Sequence, residues 1–143
     1  MIVCDTNIAS VLLQGEVHHD FLLLSEWLAA TSPTQIYITA VTRAEISAGV
    51  HRLPDGHRKT MLANAVAAFV SGMSEYTLPF NNAAADRYAL IMDARRRKGL
   101  PIAVLDAQIA AIAFCAKATL ATRNVKDFVG VGLRIVNPYG DAG

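Results

Sequence analysis

Short apolar segments rich in β-branched residues alternate along this chain with longer segments whose apolar residues recur at helical spacing. We predict strands over residues 2–4, 35–39, 75–80, 119–122 and 133–136. Helices are predicted from Ile8 to Leu13 and over residues 20–30, 42–53, 57–70, 82–98 and 107–117, with a break at Ser32-Pro33. The alternation is typical of strands that are joined by helical crossovers.

Such crossovers connect parallel strands, so the predicted fold is an α/β domain with a mostly parallel central sheet and helices on both faces. The 143 residues fit a single domain that spans 1–143. The search for function is therefore a search for one site.

The amino-acid composition narrows the classes of protein to which this chain can belong. Hydrophobic residues make up 53% of the chain, which favours a buried self-association face, and a net charge of +1 argues against bulk attraction to nucleic acid. Cys4 and Cys115 show no metal-ligand spacing, and we interpret both as reduced core residues of a cytoplasmic protein. The apolar stretch 102–121 contains Asp106, which favours a helix buried in protein over a membrane span.

Asp5 ends the first predicted strand and leads into Thr6 and Asn7. At the carboxyl end of a central strand it would lie on the edge where ligands and catalytic groups collect in open α/β sheets. A purely structural role is equally open, in which Asp5 caps the next helix; Thr6 or Asn7 can also serve as that cap.

Two further acids lie near predicted helix starts. Glu45 follows the second strand, where Thr42 as N-cap and Glu45 reaching back would form a capping box. Asp106 precedes the most apolar helix, whose stripe includes Leu105 and Ile109; the helix dipole favours an acid there, yet buried carboxylates are rare unless paired or metal-bound.

Asn124 and Asp127 follow the fourth strand, where such residues also commonly form a turn. All these junctions share one edge of a parallel sheet, and two carboxylates 4 Å apart repel by up to about 4 kcal/mol at an effective dielectric constant near 20. A divalent cation relieves that repulsion. Oxygen ligands without His or Cys favour Mg²⁺ or Mn²⁺ over zinc, and such ions commonly act on phosphate esters.

The motifs Asp5-Thr-Asn, Thr-Arg-Ala-Glu45-Ile, Asp106-Ala-Gln-Ile-Ala-Ala and Ala-Thr-Arg-Asn-Val-Lys-Asp127-Phe occur in that order over almost the whole chain. The chain thereby resembles PIN-domain ribonucleases, specifically VapC- and FitB-type toxins. The resemblance implies that Asp5, Glu45 and Asp106 hold the metal. Where some relatives have Asp after Thr-Arg this chain has Asn124, so either Asn124 ligates through its oxygen or Asp127 supplies the missing charge.

The same resemblance implies an Mg²⁺- or Mn²⁺-dependent endoribonuclease with an RNA substrate. It also implies a homodimer, neutralisation by a small antitoxin that occupies the site, and a cytosolic setting.

Candidate contacts to the RNA lie beside these acids. Arg43 and Arg123 each neighbour a site acid in sequence, and Thr6 and Asn7 follow Asp5. Arg123 can instead brace the acids. Arg96 belongs to the basic run 95–98, which is either a phosphate clamp or a solvated helix end with Arg97 paired to Asp93.

Two alternatives stay open at this point. A receiver-like signalling module also binds Mg²⁺ through clustered acids, but it needs a phosphorylatable Asp at the end of a middle strand, and the middle strand here ends in Pro79-Phe80. A catalytically degenerate PIN domain would only bind RNA or a partner, and the Asn124 departure leaves that alternative available.

Overall fold

The structure is a computed structural model that describes residues 1–31 and 35–140; the predicted break at Ser32-Pro33 lies outside them. The strands are β1 (Ile2–Cys4), β2 (Ile36–Thr39), β3 (Thr77–Leu78), β4 (Thr119–Ala121) and β5 (Ile135–Val136). The α-helices are α1 (Thr6–Gln14), α2 (Phe21–Thr31), α3 (Ala40–His51), α4 (His57–Gly72), α5 (Asn82–Arg97) and α6 (Val104–Cys115). Short 3₁₀ turns cover Gly15–Val17, Ser74–Tyr76 and Val125–Phe128.

All five strands are parallel and are ordered β3-β2-β1-β4-β5. β1 lies in the centre, where Ile2 aligns with Ile36 of β2 and Val3 aligns with Leu120 of β4. Every residue of β1 is buried, because helices cover both faces of a parallel sheet. The predicted α/β class, with a parallel sheet between two helical layers, is confirmed.

The alternation of β1 side chains separates the core into layers. Val3 packs with α5 and α6 on one face, whereas Ile2 and Cys4 pack with α1 and α2 on the other. On that second face, Ile38 of β2 packs with α1, α3 and α4. The two layers hold β1 rigidly, and β1 carries Asp5 at its end.

The strand order reverses beside β1. The chain runs outward from β1 through β2 to β3, returns through α5 and α6, and adds β4 and β5 on the other side. In doubly wound sheets, ligands bind at the carboxyl ends of the strands at this switch point. The order also differs from the 2-1-3-4-5 order of receiver domains, which excludes the receiver-like alternative.

Several predicted boundaries were wrong. α3 begins at Ala40 rather than Thr42, so Glu45 lies beyond its first turn. α6 begins at Val104 rather than Ala107, and Asp106 lies inside it, in its first turn. The third strand is limited to Thr77–Leu78. Leu105 is exposed, although it was predicted to belong to the buried stripe of α6, and Cys115 is exposed rather than in the core.

Among residues 1–31 and 35–140, no helix has the length and apolar character that a membrane crossing needs. The apolar stretch 102–121 instead forms α6 and β4, with buried residues from Ala107 to Ala113 along the helix.

Candidate active site

Asp5 fulfils both roles that the sequence left open for it. It follows β1 at the carboxyl edge of the sheet, and its Oδ1 accepts a hydrogen bond of 2.9 Å from the Ile8 amide as the N-cap of α1. Thr6 and Asn7 are therefore inside the helix, and the suggestion that one of them caps it was wrong. Oδ2 accepts a 2.6 Å bond from the Thr122 hydroxyl.

The environment of Asp5 opposes its ionisation. Its side chain is buried, and this desolvation raises its pKa, with a smaller contribution from the Glu45 carboxylate. The hydrogen bonds from Thr122 and Ile8 act in the opposite direction. Next to it, burial and the Asp5 charge raise the pKa of the Cys4 thiol to about 12, so this cysteine is a protonated core residue.

Glu45 does not form the predicted capping box. The N-cap of α3 is Thr39, whose Oγ1 accepts a 3.0 Å bond from the Thr42 amide. Glu45 is thus free to face the sheet edge, where its Oε1 accepts a 2.6 Å bond from the Thr6 hydroxyl. The Thr6 and Thr42 hydroxyl oxygens are 3.1 Å apart, which links the starts of α1 and α3.

Asp106 lies in the first turn of α6 and is partly buried. Its pKa is raised first by burial and then by the charges of Asp5, Asp127 and Glu45. Such charge effects fall off with distance, so all four carboxylates belong to one electrostatic cluster. Acids from distant parts of the chain therefore act on Asp106 together, while their predicted assembly into one metal site stays a prediction.

The segment after β4 connects the fourth acid to Asp5. The Asn124 amide donates a 3.0 Å hydrogen bond to the Thr122 hydroxyl oxygen, and the Asp127 amide donates one of 3.0 Å to the Asn124 carbonyl. The Thr122 hydroxyl thus accepts a hydrogen bond from this loop and donates one to Asp5. Asn124 and Asp127 are both partly buried on the loop that follows.

The candidate RNA contacts divide into two groups. Thr6 is bonded to Glu45, and the exposed Asn7 follows it at the edge of the cluster. The arginines have other contacts: Arg43 donates to the Val70 carbonyl at 3.3 Å, and Arg96 pairs with Asp93 at 2.7 Å. The predicted pair between Arg97 and Asp93 is present at 2.9 Å. The part of these residues in RNA binding stays a prediction.

Arg123 braces the fold at the site's border. Its guanidinium bonds to Asp20 at 2.9 Å and stacks on the Tyr139 ring, 3.9 Å from its centre. His18, His19 and Asp20 bring potential metal-ligand atoms within 4.8 Å of one another. However, Arg123 occupies the Asp20 carboxylate and the His18 Nδ1 accepts from the Asp20 amide, so we assign no metal to this set.

Sequence analysis missed the supporting contacts of two threonines: Thr122 donates to Asp5, and Thr42 lies 3.1 Å from Thr6, which donates to Glu45. Both are fully buried although they are polar, and both lie at the carboxyl edge. The signal was a Thr placed within three residues after the end of β1, β2 and β4. It was not distinctive, because Thr is also a common strand residue.

The comparisons with known proteins agree with this geometry. The PIN domain family matches residues 2–131, which is most of the chain. This chain belongs to the PIN-domain family. A VapC ribonuclease of Sinorhizobium fredii is 34% identical over 143 residues, covering 99% of this chain and 100% of the relative.

Two further comparisons, one of sequence and one of structure, show that this PIN domain is similar to FitB. The toxin FitB of Neisseria gonorrhoeae is 30% identical over 142 residues, covering 99% of this chain and 100% of the relative. The crystal structure of FitAcB from the same species superposes with a TM-score of 0.84 at 30% identity, covering 98% of this chain and 99% of the other.

Proposed function

We propose that this PIN domain is a metal-dependent endoribonuclease and the toxin of a toxin–antitoxin pair. One observation carries the proposal: the carboxylates of Asp5, Glu45 and Asp127 come from three separate segments, and their charges all add to burial in raising the pKa of Asp106 near the switch point of the sheet. A fold gains no stability from gathering like charges, so the arrangement serves a ligand.

The donor set fits a hard divalent cation. Asp5, Glu45 and Asp106 offer carboxylate oxygens and Asn124 offers an amide oxygen, without His or Cys in the set. Mg²⁺ or Mn²⁺ would match such ligands, and its charge would offset the repulsion that adds to burial in raising the pKa of Asp106. When bound, the ion polarises a phosphoryl oxygen and lowers the pKa of water.

The chain's own residues prepare this chemistry. Thr122 and the Ile8 amide fix both oxygens of Asp5, and Thr6 fixes one oxygen of Glu45, so the acids are oriented before any ligand arrives. Asp127 adds the fourth negative charge where the fourth family position holds Asn124. In the proposed hydrolysis a water oxygen bonds to phosphorus, the ester P–O bond breaks, and the leaving oxygen takes a proton.

An antitoxin is the proposed partner. A groove of about 740 Å³ begins at Thr6, Asn7 and Glu45 and continues between α1, α3 and α4 over Leu13 and Met61. Similar solved structures are toxin–antitoxin complexes of the VapBC and FitAB types. A partner segment in this groove would cover Glu45 and hinder the approach of RNA from that side, while homodimer formation stays a prediction.

The first test is RNA cleavage by the purified protein with Mg²⁺ or Mn²⁺. We expect cleavage that EDTA stops, and a loss of at least about 100-fold in Asp5→Asn and Asp106→Asn, because each change removes a charged ligand oxygen. Asp86→Asn is the matched control, since Asp86 is exposed on α5 away from the acid cluster.

Full activity in EDTA, or in both site variants, would refute the metal mechanism. A folded protein that binds Mn²⁺ and RNA without cleaving would instead identify a degenerate PIN domain.

The second test concerns the partner. Expression of this chain alone is expected to arrest bacterial growth, and co-expression of a small protein encoded beside it is expected to relieve the arrest. Asp106→Asn should remove the toxicity. Harmless expression of the folded, RNA-cleaving protein would contradict the toxin assignment.

A further inference from the structure

The basic run at the end of α5 is not uniform. Arg96 and Arg97 are exposed and share Asp93, as expected of a solvated helix end. Arg95 is 3% exposed, although it carries the same charge. A side chain that is buried within an otherwise solvated run has a partner inside the protein.

That partner is main chain rather than a carboxylate. Arg95 Nη1 donates to the Val129 carbonyl at 2.7 Å and to the Lys126 carbonyl at 3.5 Å, and Nη2 donates to the Pro101 carbonyl at 3.4 Å. Lys126 and Val129 bracket Asp127, whereas Pro101 leads into α6 and Asp106. One guanidinium therefore contacts both segments that carry the late acids.

A second residue of the run supports the same loop. Lys98 lies one turn after Arg95, and its Nζ is 2.8 Å from where a β-carbon of Gly130 would stand. Gly130 has φ +82°, a conformation that other residues rarely adopt. The 126–130 loop thus rests against the end of α5 through both side chains.

The burial of the Arg95 guanidinium is unfavourable for the stability of the fold. In the described part of the chain no carboxylate pairs with Arg95, and its Nε has no hydrogen-bond partner. A buried cation that is matched only by carbonyl dipoles has a large desolvation penalty, and a well-packed apolar residue often replaces such a group without loss. The geometry that Arg95 imposes explains its presence better than the stability it provides.

We propose that Arg95 is a positioning residue that fixes Asp127 relative to Asp106. These two acids carry like charges, and their segments have no direct hydrogen bond to each other among the described residues. The planar fork of Arg95 spans both segments, which a lysine ammonium does not. The inference rests on the proposed metal-dependent function.

The test measures Mn²⁺ affinity by calorimetry and RNA cleavage in Arg95→Lys and Arg95→Gln. We expect Mn²⁺ binding about 10–100-fold weaker and a lower kcat in both variants, with KM for RNA little changed, because the acids and not the RNA contacts are displaced. Arg97→Gln removes one charge from the same run and is the matched control. Circular dichroism establishes which variants are folded, and Arg95→Lys retains the buried charge if Arg95→Gln unfolds.

A double-mutant cycle with Asp127→Asn separates positioning from general loosening of the fold. If Arg95 acts through Asp127, Arg95→Lys adds little further loss once Asp127 is neutralised. If the losses of cleavage in Arg95→Lys and Asp127→Asn multiply fully in the double variant, the inference is overturned. Wild-type Mn²⁺ affinity in a folded Arg95 variant would also overturn it. Wild-type protein that neither binds Mn²⁺ nor cleaves RNA would overturn the proposed function instead.

Discussion

The two edges of the central sheet are both charged, yet their charges are arranged in opposite ways. The amino edge borders a cavity of about 810 Å³, where Lys117 and Arg134 are exposed and Arg87 stacks on Phe114, 3.7 Å from the ring centre. Water screens these cations from one another. At the carboxyl edge the acids are partly or fully buried, and they raise the pKa of Asp106.

This comparison indicates that partly buried like charges are a better guide to a candidate functional site than the volume of a cavity is. The larger cavity holds exposed charges that solvent screens, whereas the carboxyl edge holds partly buried like charges that the proposed cation would neutralise. Active sites commonly retain such destabilising arrangements because function depends on them. Matched substitutions at the two edges test this contrast.

Among the substitutions that compare the two edges, the largest effect is expected for Thr122→Val. The change keeps the shape of the side chain but removes the 2.6 Å bond to Asp5 and the 3.0 Å bond from the Asn124 amide. Asp5 then loses an orienting partner, and its pKa rises further because the Thr122 bond lowers it. We expect kcat for RNA cleavage to fall about 10–100-fold.

Thr119→Val is the control on the same strand. Thr119 begins β4 at the amino edge and lines the larger cavity, so its replacement should leave kcat unchanged. Equal losses in the two variants would mean that β4 matters only as a strand, and the contrast between the edges would fail.

A smaller effect of opposite sign is expected for Asp106→Asn in metal-free protein. Removing this charge ends its burial penalty and its repulsion by Asp5, Asp127 and Glu45, so the free energy of unfolding at neutral pH should rise, by about 1 kcal/mol or less because Asp106 is partly solvated. Asp86→Asn at the amino edge should change stability by less than about 0.5 kcal/mol. Denaturant unfolding in EDTA measures both.

This stabilisation should depend on pH. The pKa of Asp106 is higher in the folded than in the unfolded protein, so the folded state binds the proton more tightly. Wild-type stability therefore falls as the pH rises through the folded pKa, and the advantage of Asp106→Asn should disappear below the unfolded value of about 3.9. A constant advantage across that range would show that repulsion is not its cause.

Most of the fold was predictable because periodicity and chain length leave few arrangements. The buried run Ile2–Cys4 indicated a central parallel strand, and each long helix was recognised by its spacing. Helix starts were less accurate, since Thr39 and Thr42 are equally good N-caps by residue type and the strand register decides between them.

The acids of the candidate site were predictable from the sequence, but the residues that position them and border the site were not. Asp5, Glu45 and Asp106 carry distinctive motifs, whereas the Asp20 that engages Arg123 is distant in sequence and lies outside every motif. Arg95 was grouped with its basic neighbours, because only the packing of α5 against the 126–129 segment distinguishes a buried guanidinium from an exposed one.

The contrasting environments of the two cysteines provide a built-in reporter of folding. Cys4 is fully buried with a pKa of about 12, while Cys115 is exposed at the end of α6. A short pulse of an alkylating reagent should therefore add one adduct to a folded chain and two to an unfolded one, which mass spectrometry distinguishes. Because Cys4 directly precedes Asp5, slow labelling under native conditions would time the opening of the proposed catalytic edge.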